Sequence, residues 1–86
     1  PRPAVHIASF RSRKAADRGW AGLRRAHRAL LENMKPEITR VNLGSKKGVF
    51  FRLVVGPLAS NADAVSVCRQ LKRRRQYCEP AFMAGG

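Results

Sequence analysis

A few side chains in this sequence are of types and spacings that can do chemistry. "KGVFFRLVV" (47–55) holds one arginine, Arg52, in a mostly apolar run. A guanidinium held on a strand makes charge-assisted bonds to carboxylates or phosphates. Cys68 and Cys78 are the 2 cysteines. They are too few for a zinc site without histidines, and His6 and His27 lie far off at no finger spacing. They are either buried thiols or a disulfide, and a disulfide implies an oxidising compartment. The 5 acids are scattered. They offer no carboxylate pair, and there is no phosphate-cradling loop and no nucleophile elbow. Cys68 has no His or Asn placed by any sequence cue. The reading is a non-catalytic domain without cofactor or metal.

The chain has 86 residues, enough for one small domain. At 44% hydrophobic it can form a core. No run reaches the ~18 apolar residues of a membrane span. It starts at Pro1 with no signal peptide, so it reads as a piece of a larger protein whose export signal or anchor lies elsewhere. The 18 Lys+Arg outnumber the 5 Asp+Glu, for a net charge of +13. Such a field attracts nucleic acid, anionic lipid or acidic glycan without choosing among them, and exposed basic residues also simply solvate a helix.

The elements that must position these residues follow from periodicity. "AVHIASF" (4–10) alternates as a strand, with Val5 and Ile7 on one face and His6 and Ala8 on the other. Ser12 caps a helix from about Arg13 to Glu32, whose inner stripe is Ala16, Trp20, Leu23, His27 and Leu30. Gly19 and Gly22 each cost up to ~1 kcal/mol there, and close approach to the sheet is their expected reason. Pro36 ends the helical stretch. "EITRVNLG" (37–44) and "VFFRLVV" (49–55), joined by "SKKG", form a hairpin, and Gly56-Pro57 stops it. Ser60 opens a second helix with Ala64, Val67, Cys68 and Leu71 inward and "KRRR" at its end. "CEPAFM" (78–83) is a last strand, and Pro80 marks it as an edge or a bulge. Residues 1–3 and 84–86 are expected to be flexible. The βαββαβ order gives an α+β, ferredoxin/RNP-like domain over residues 4–83. It has a four-stranded antiparallel sheet with two helices on one face and the other face open.

Arg52 decides which face is open. Burying an unpaired guanidinium costs several kcal/mol, so Phe51, Leu53 and Val55 turn inward while Phe50, Arg52 and Val54 look out. By alternation His6, Ala8, Arg40 and Asn42 join them on the open face. This argues against the octapeptide of RNA-recognition motifs, which exposes aromatics at its third and fifth positions. Here those are Val49 and Phe51, and exposing them would bury Arg52. Nucleic-acid binding by the sheet or by "KRRR" stays as the alternative function.

The same segments resemble the SPOR domain family. "VHIASF" is similar to its opening Val-Gln-aliphatic-small-Ser-Phe, and "FFRLVVGPLAS" to its Tyr-Arg-Val-x-Val-Gly-Pro-Phe. "NADAVSVCRQLK" resembles its second helix, and "RSRKAADRGWAGLRRAH" the first helix of one branch. The likeness spans about residues 4 to 83. It implies binding to peptidoglycan glycan strands stripped of stem peptides, in the periplasm and at the division septum, with divisome proteins as further partners. A stripped strand exposes lactyl carboxylates and flat sugar faces. The implied site is His6, Ser9, Arg40, Phe50 and Arg52. His6 stands where the family usually has Gln, and Val54 where a polar residue is common. Ser9 either belongs to the site or bonds locally at the helix start. Arg75 stands where relatives often have Gly, and a left-handed backbone there would cost ~1–2 kcal/mol. The second helix and last strand should lie side by side, so Cys68 and Cys78 are expected to form a disulfide, which a periplasmic location would preserve.

Overall fold

The computed structural model describes residues 1–84. Strand β1 (Arg2–Phe10) is followed by α1 (Arg13–Ala26) and the single turn α2 (Arg28–Leu31). Next come β2 (Lys35–Asn42), a short turn of helix α3 (Gly44–Lys47), β3 (Val49–Gly56), α4 (Asn61–Arg73) and β4 (Glu79–Met83). The sheet order is β2-β3-β1-β4 with antiparallel neighbours throughout, so the α+β architecture holds. β4 is an edge strand, as Pro80 requires.

Capping fixes both long helices. The Ser12 hydroxyl accepts the Ala15 N–H at 3.0 Å, and the Ser60 hydroxyl accepts the Asp63 N–H at 3.1 Å. α4 ends in a Schellman turn: the Gln76 N–H donates to the Leu71 carbonyl and the Arg75 N–H to that of Lys72. That turn puts Arg75 at φ 63°, the left-handed region where glycine is easier. Ala16, Leu31, Ala64, Cys68 and Leu71 are buried on the helical side, against Val5, Ile7, Leu53 and Val55 of the sheet. Each large apolar side chain so buried contributes roughly 1.5–3 kcal/mol.

Several expectations are corrected. The first helix breaks at His27 (φ −123°, ψ 46°), whose carbonyl then accepts the N–H groups of Leu30 and Leu31. The break turns Leu31 fully into the core, while Leu30 is only half-buried. β1 starts at Arg2 rather than residue 4, because Arg2 and Pro3 pair with Met83 and Phe82. At the other end the Ala84 N–H donates to Glu37 Oε2 at 3.0 Å. Gly85 and Gly86, also expected to be loose, lie outside the described residues. β2 starts before Pro36, which sits within this edge strand opposite Val55.

Two further corrections concern faces. A bulge lies between His6 and Ala8, so that Val54 opposes His6 but Leu53 opposes Ala8. Beyond it the alternation reverses. Ala8 turns to the core side, Ser9 joins His6 on the open face, and Phe10 packs inward. On β2, Ile38 pairs with Leu53, Thr39 with Arg52, Arg40 with Phe51 and Asn42 with Val49. Directly paired residues share a face. Arg40 and Asn42 therefore lie on the helical side, and Thr39 and Val41 on the open one. Asn42 Oδ1 accepts the Gly44 N–H at 2.9 Å, starting the α3 turn.

Candidate functional site

The open sheet face carries a groove of about 420 Å³ lined by His6, Ser9, Val41, Leu43, Phe50, Arg52 and Tyr77. Four of the five residues singled out from sequence meet here: His6, Ser9, Phe50 and Arg52. Arg40 does not, since its register partner is Phe51. Arg52 lies directly between Ser9 of β1 and Thr39 of β2, and is exposed. Among the described residues it makes no ion pair, so its charge is free to meet a ligand.

The bulge in β1 builds the other half of the groove. By re-aiming Ser9 it places that hydroxyl 3.1 Å from His6 Nε2. The same nitrogen lies 3.0 Å from the Ala8 carbonyl, which can only accept. Nε2 therefore carries the proton in the neutral ring, and Nδ1 remains an acceptor. Ser9 Oγ accepts from Nε2–H and keeps its own proton to donate. Ser12, not Ser9, caps the helix. Burial, and after it the nearby Arg52 charge, lowers the His6 pKa below 6.5, against weaker opposing effects from the Ala8 bond and Glu79. At neutral pH the groove thus offers a neutral imidazole beside one fixed cation.

Aromatic rings line the groove. Tyr77 meets His6 edge to face, with ring centroids 5.3 Å apart and planes at 77°. Tyr77 is 54% exposed, so much of its ring is open to a ligand. The Arg11 guanidinium lies 4.3 Å from the Phe50 ring centroid and donates to the Lys47 carbonyl at 3.4 Å. One face of Phe50 is thereby covered and the ring held in place. Tyr77, Val41, Leu43 and Arg11 were not foreseen. Tyr77 sits in a turn with no periodicity to read, although an exposed aromatic beside the second cysteine was a usable signal.

Gln76 fixes that turn. Its Nε2 donates to the Ile7 carbonyl at 2.8 Å, at the bulge, and to the Tyr77 carbonyl at 3.1 Å. A second anchor is the Cys68–Cys78 disulfide, with a Cα–Cα distance of 5.0 Å, joining α4 to the start of β4. Farther along the sheet, Val54 is buried against Ala4, Met83 and Ala81 and lines a second groove of about 420 Å³, which Arg52 also borders. Val54 therefore packs where a polar residue was expected to make a contact.

The fold leaves one sheet face uncovered, with a polar and aromatic groove open to a ligand. The chain matches the SPOR domain over residues 2–84 and belongs to that family. SPOR domains bind peptidoglycan and act in bacterial cell division. The family implies a cell-wall-associated place outside the cytoplasm, which the disulfide fits. No curated protein and no solved structure matches the chain. No helix of the described residues is long and apolar enough to cross a membrane.

Proposed function

We propose that this domain is a non-catalytic module that binds peptidoglycan glycan strands lacking stem peptides through the open sheet face, and so carries a parent protein to the division septum. The observation that supports the reading is Arg52, an unpaired cation in the middle of a groove walled by Phe50 and Tyr77. Removing the stem peptide frees a lactyl carboxylate on each muramic acid. Arg52 bonds that carboxylate, with charge assistance on both sides. The aromatic rings pack against sugar faces. Ser9 and His6 supply a donor and an acceptor for hydroxyl and acetamido groups. Nothing in this set requires a bond to be made or broken.

The test is a pull-down with purified sacculi, before and after an amidase strips the stem peptides. Amidase treatment should raise the bound fraction. Equal binding to both preparations would sink the preference for stripped strands while leaving peptidoglycan binding intact. A steep loss of binding with salt, matched by binding to nucleic acid, would favour the alternative partner.

A further inference from the structure

The proposed glycan groove uses little of the positive charge. Segments 13–32 and 61–75 hold eleven of the 18 lysines and arginines and three of the five acids. All eleven are exposed, and they belong to α1, α2, α4 and the turn that ends α4. These helices cover the sheet on the side away from the groove. Among the described residues one ion pair is formed, Lys72 with Glu79 at 3.8 Å. The helical side is thus a broad cationic surface that the protein does not neutralise itself.

Its most shaped part lies where α1 meets α2. Arg24, Arg25 and Arg28 line a cleft of about 330 Å³ together with Ala21 and Glu32. The Arg24 Nε donates to the Glu32 backbone carbonyl at 3.1 Å, which steadies one guanidinium. Guanidinium forks match phosphate oxygens in geometry and charge. The Glu32 carboxylate offsets one of the three charges.

We propose that the helical side docks on an anionic phospholipid bilayer, with the Arg24–Arg25–Arg28 cleft taking a headgroup phosphate. Charge complementarity favours it: cations spread over two helices suit an extended surface of like charges better than a compact acidic patch. Nucleic acid has the same phosphates, but the family's extracytoplasmic place and the disulfide put the domain where nucleic acid is scarce. The inference stands apart from the glycan reading, because it uses the opposite side of the domain. If both hold, the module lies between membrane and wall, with one partner on each side.

Co-sedimentation with vesicles tests it. One set is phosphatidylcholine alone and the other holds about one-quarter phosphatidylglycerol, both at about 0.15 M salt. The oxidised domain should bind the anionic vesicles and ignore the neutral ones. The triple variant Arg24→Gln, Arg25→Gln, Arg28→Gln should lower partitioning about tenfold to a hundredfold, with circular dichroism reporting that it stays folded. Arg52→Ala should leave vesicle binding unchanged. The proposal is overturned if the anionic vesicles bind no better than the neutral ones, or if the folded triple variant binds like the parent. It also fails if duplex DNA at equal phosphate displaces the domain from the vesicles completely, which would make the surface a nucleic-acid site. Sacculus binding by the triple variant should stay at the parent's level, so either reading can fail without the other.

Discussion

Arg52 and His6 act as a pair at the residue scale. Arg52 supplies a permanent charge, and its nearness helps keep His6 neutral. Arg52→Ala should weaken binding to stripped sacculi by roughly 1.5–3 kcal/mol, about a tenfold to hundredfold loss, with an unchanged thermal melt. Binding within error of the parent's would remove Arg52 from the site. The histidine makes a separate prediction about stability. Its folded pKa lies below the unfolded value of 6.5, so the unfolded chain takes up the proton first as the pH falls. Its stability contribution is complete above pH 6.5, declines below it, and levels off once the folded ring is protonated too. Melts between about pH 7.5 and 5 should show this decline, and His6→Gln, which cannot titrate, should flatten it. A parent and variant with parallel pH profiles would contradict the assignment.

At the scale of elements, two glycines in α1 have opposite meanings. A Cβ on Gly19 would come within 2.2 Å of the Phe10 ring, so α1 can approach β1 only without a side chain there. A Cβ on Gly22 would meet nothing within 4 Å. Gly22→Ala should therefore raise stability by up to ~1 kcal/mol, while Gly19→Ala should lower it, as read by urea midpoints. Two substitutions of equal effect would mean the helix does not dock as described. Gln76 joins two elements rather than filling one. It satisfies the carbonyl that the β1 bulge leaves at Ile7 and holds the turn bearing Tyr77. Gln76→Ala should cost about 1–3 kcal/mol, by leaving that carbonyl without its partner. It should also weaken sacculus binding more than its stability loss explains, because Tyr77 loses its support. Unaltered binding in the folded variant would separate the turn from the site.

For the whole molecule, the disulfide counts heavily because the domain is small and carries a net charge of +13. Closing a loop with a sequence separation of 10 contributes roughly 2.5–3 kcal/mol by chain entropy. Reduction should lower the melting temperature by at least several degrees, and a melt insensitive to reductant would show that the bond contributes nothing. The pairing could be expected from sequence because an amphipathic helix and the strand after it must lie side by side. The order and type of the main elements could be read for a similar reason. Periods of 3.6 and 2 are local, and caps such as Ser12 and Ser60 act within one turn. The outward face of Arg52 also followed, since a lone guanidinium cannot be buried. The sequence did not determine the phase of the other strands. Along β2 both alternations hold an apolar residue, Ile38 in one and Val41 in the other, so hydrophobicity does not choose between them. Register with β3 chooses, by setting Ile38 against Leu53, and this moves Arg40 to the helical side. In β1 a single extra residue at the bulge reverses every later side chain and brings Ser9 to the groove. Tyr77 reaches the same groove because Gln76 and the disulfide hold its turn across the sheet. Which residues become elements was thus set by neighbours in the chain. Which of them share a face was set by pairing with residues up to 81 positions away, as Arg2 pairs with Met83, because hydrogen-bond register is a property of two strands and not of one.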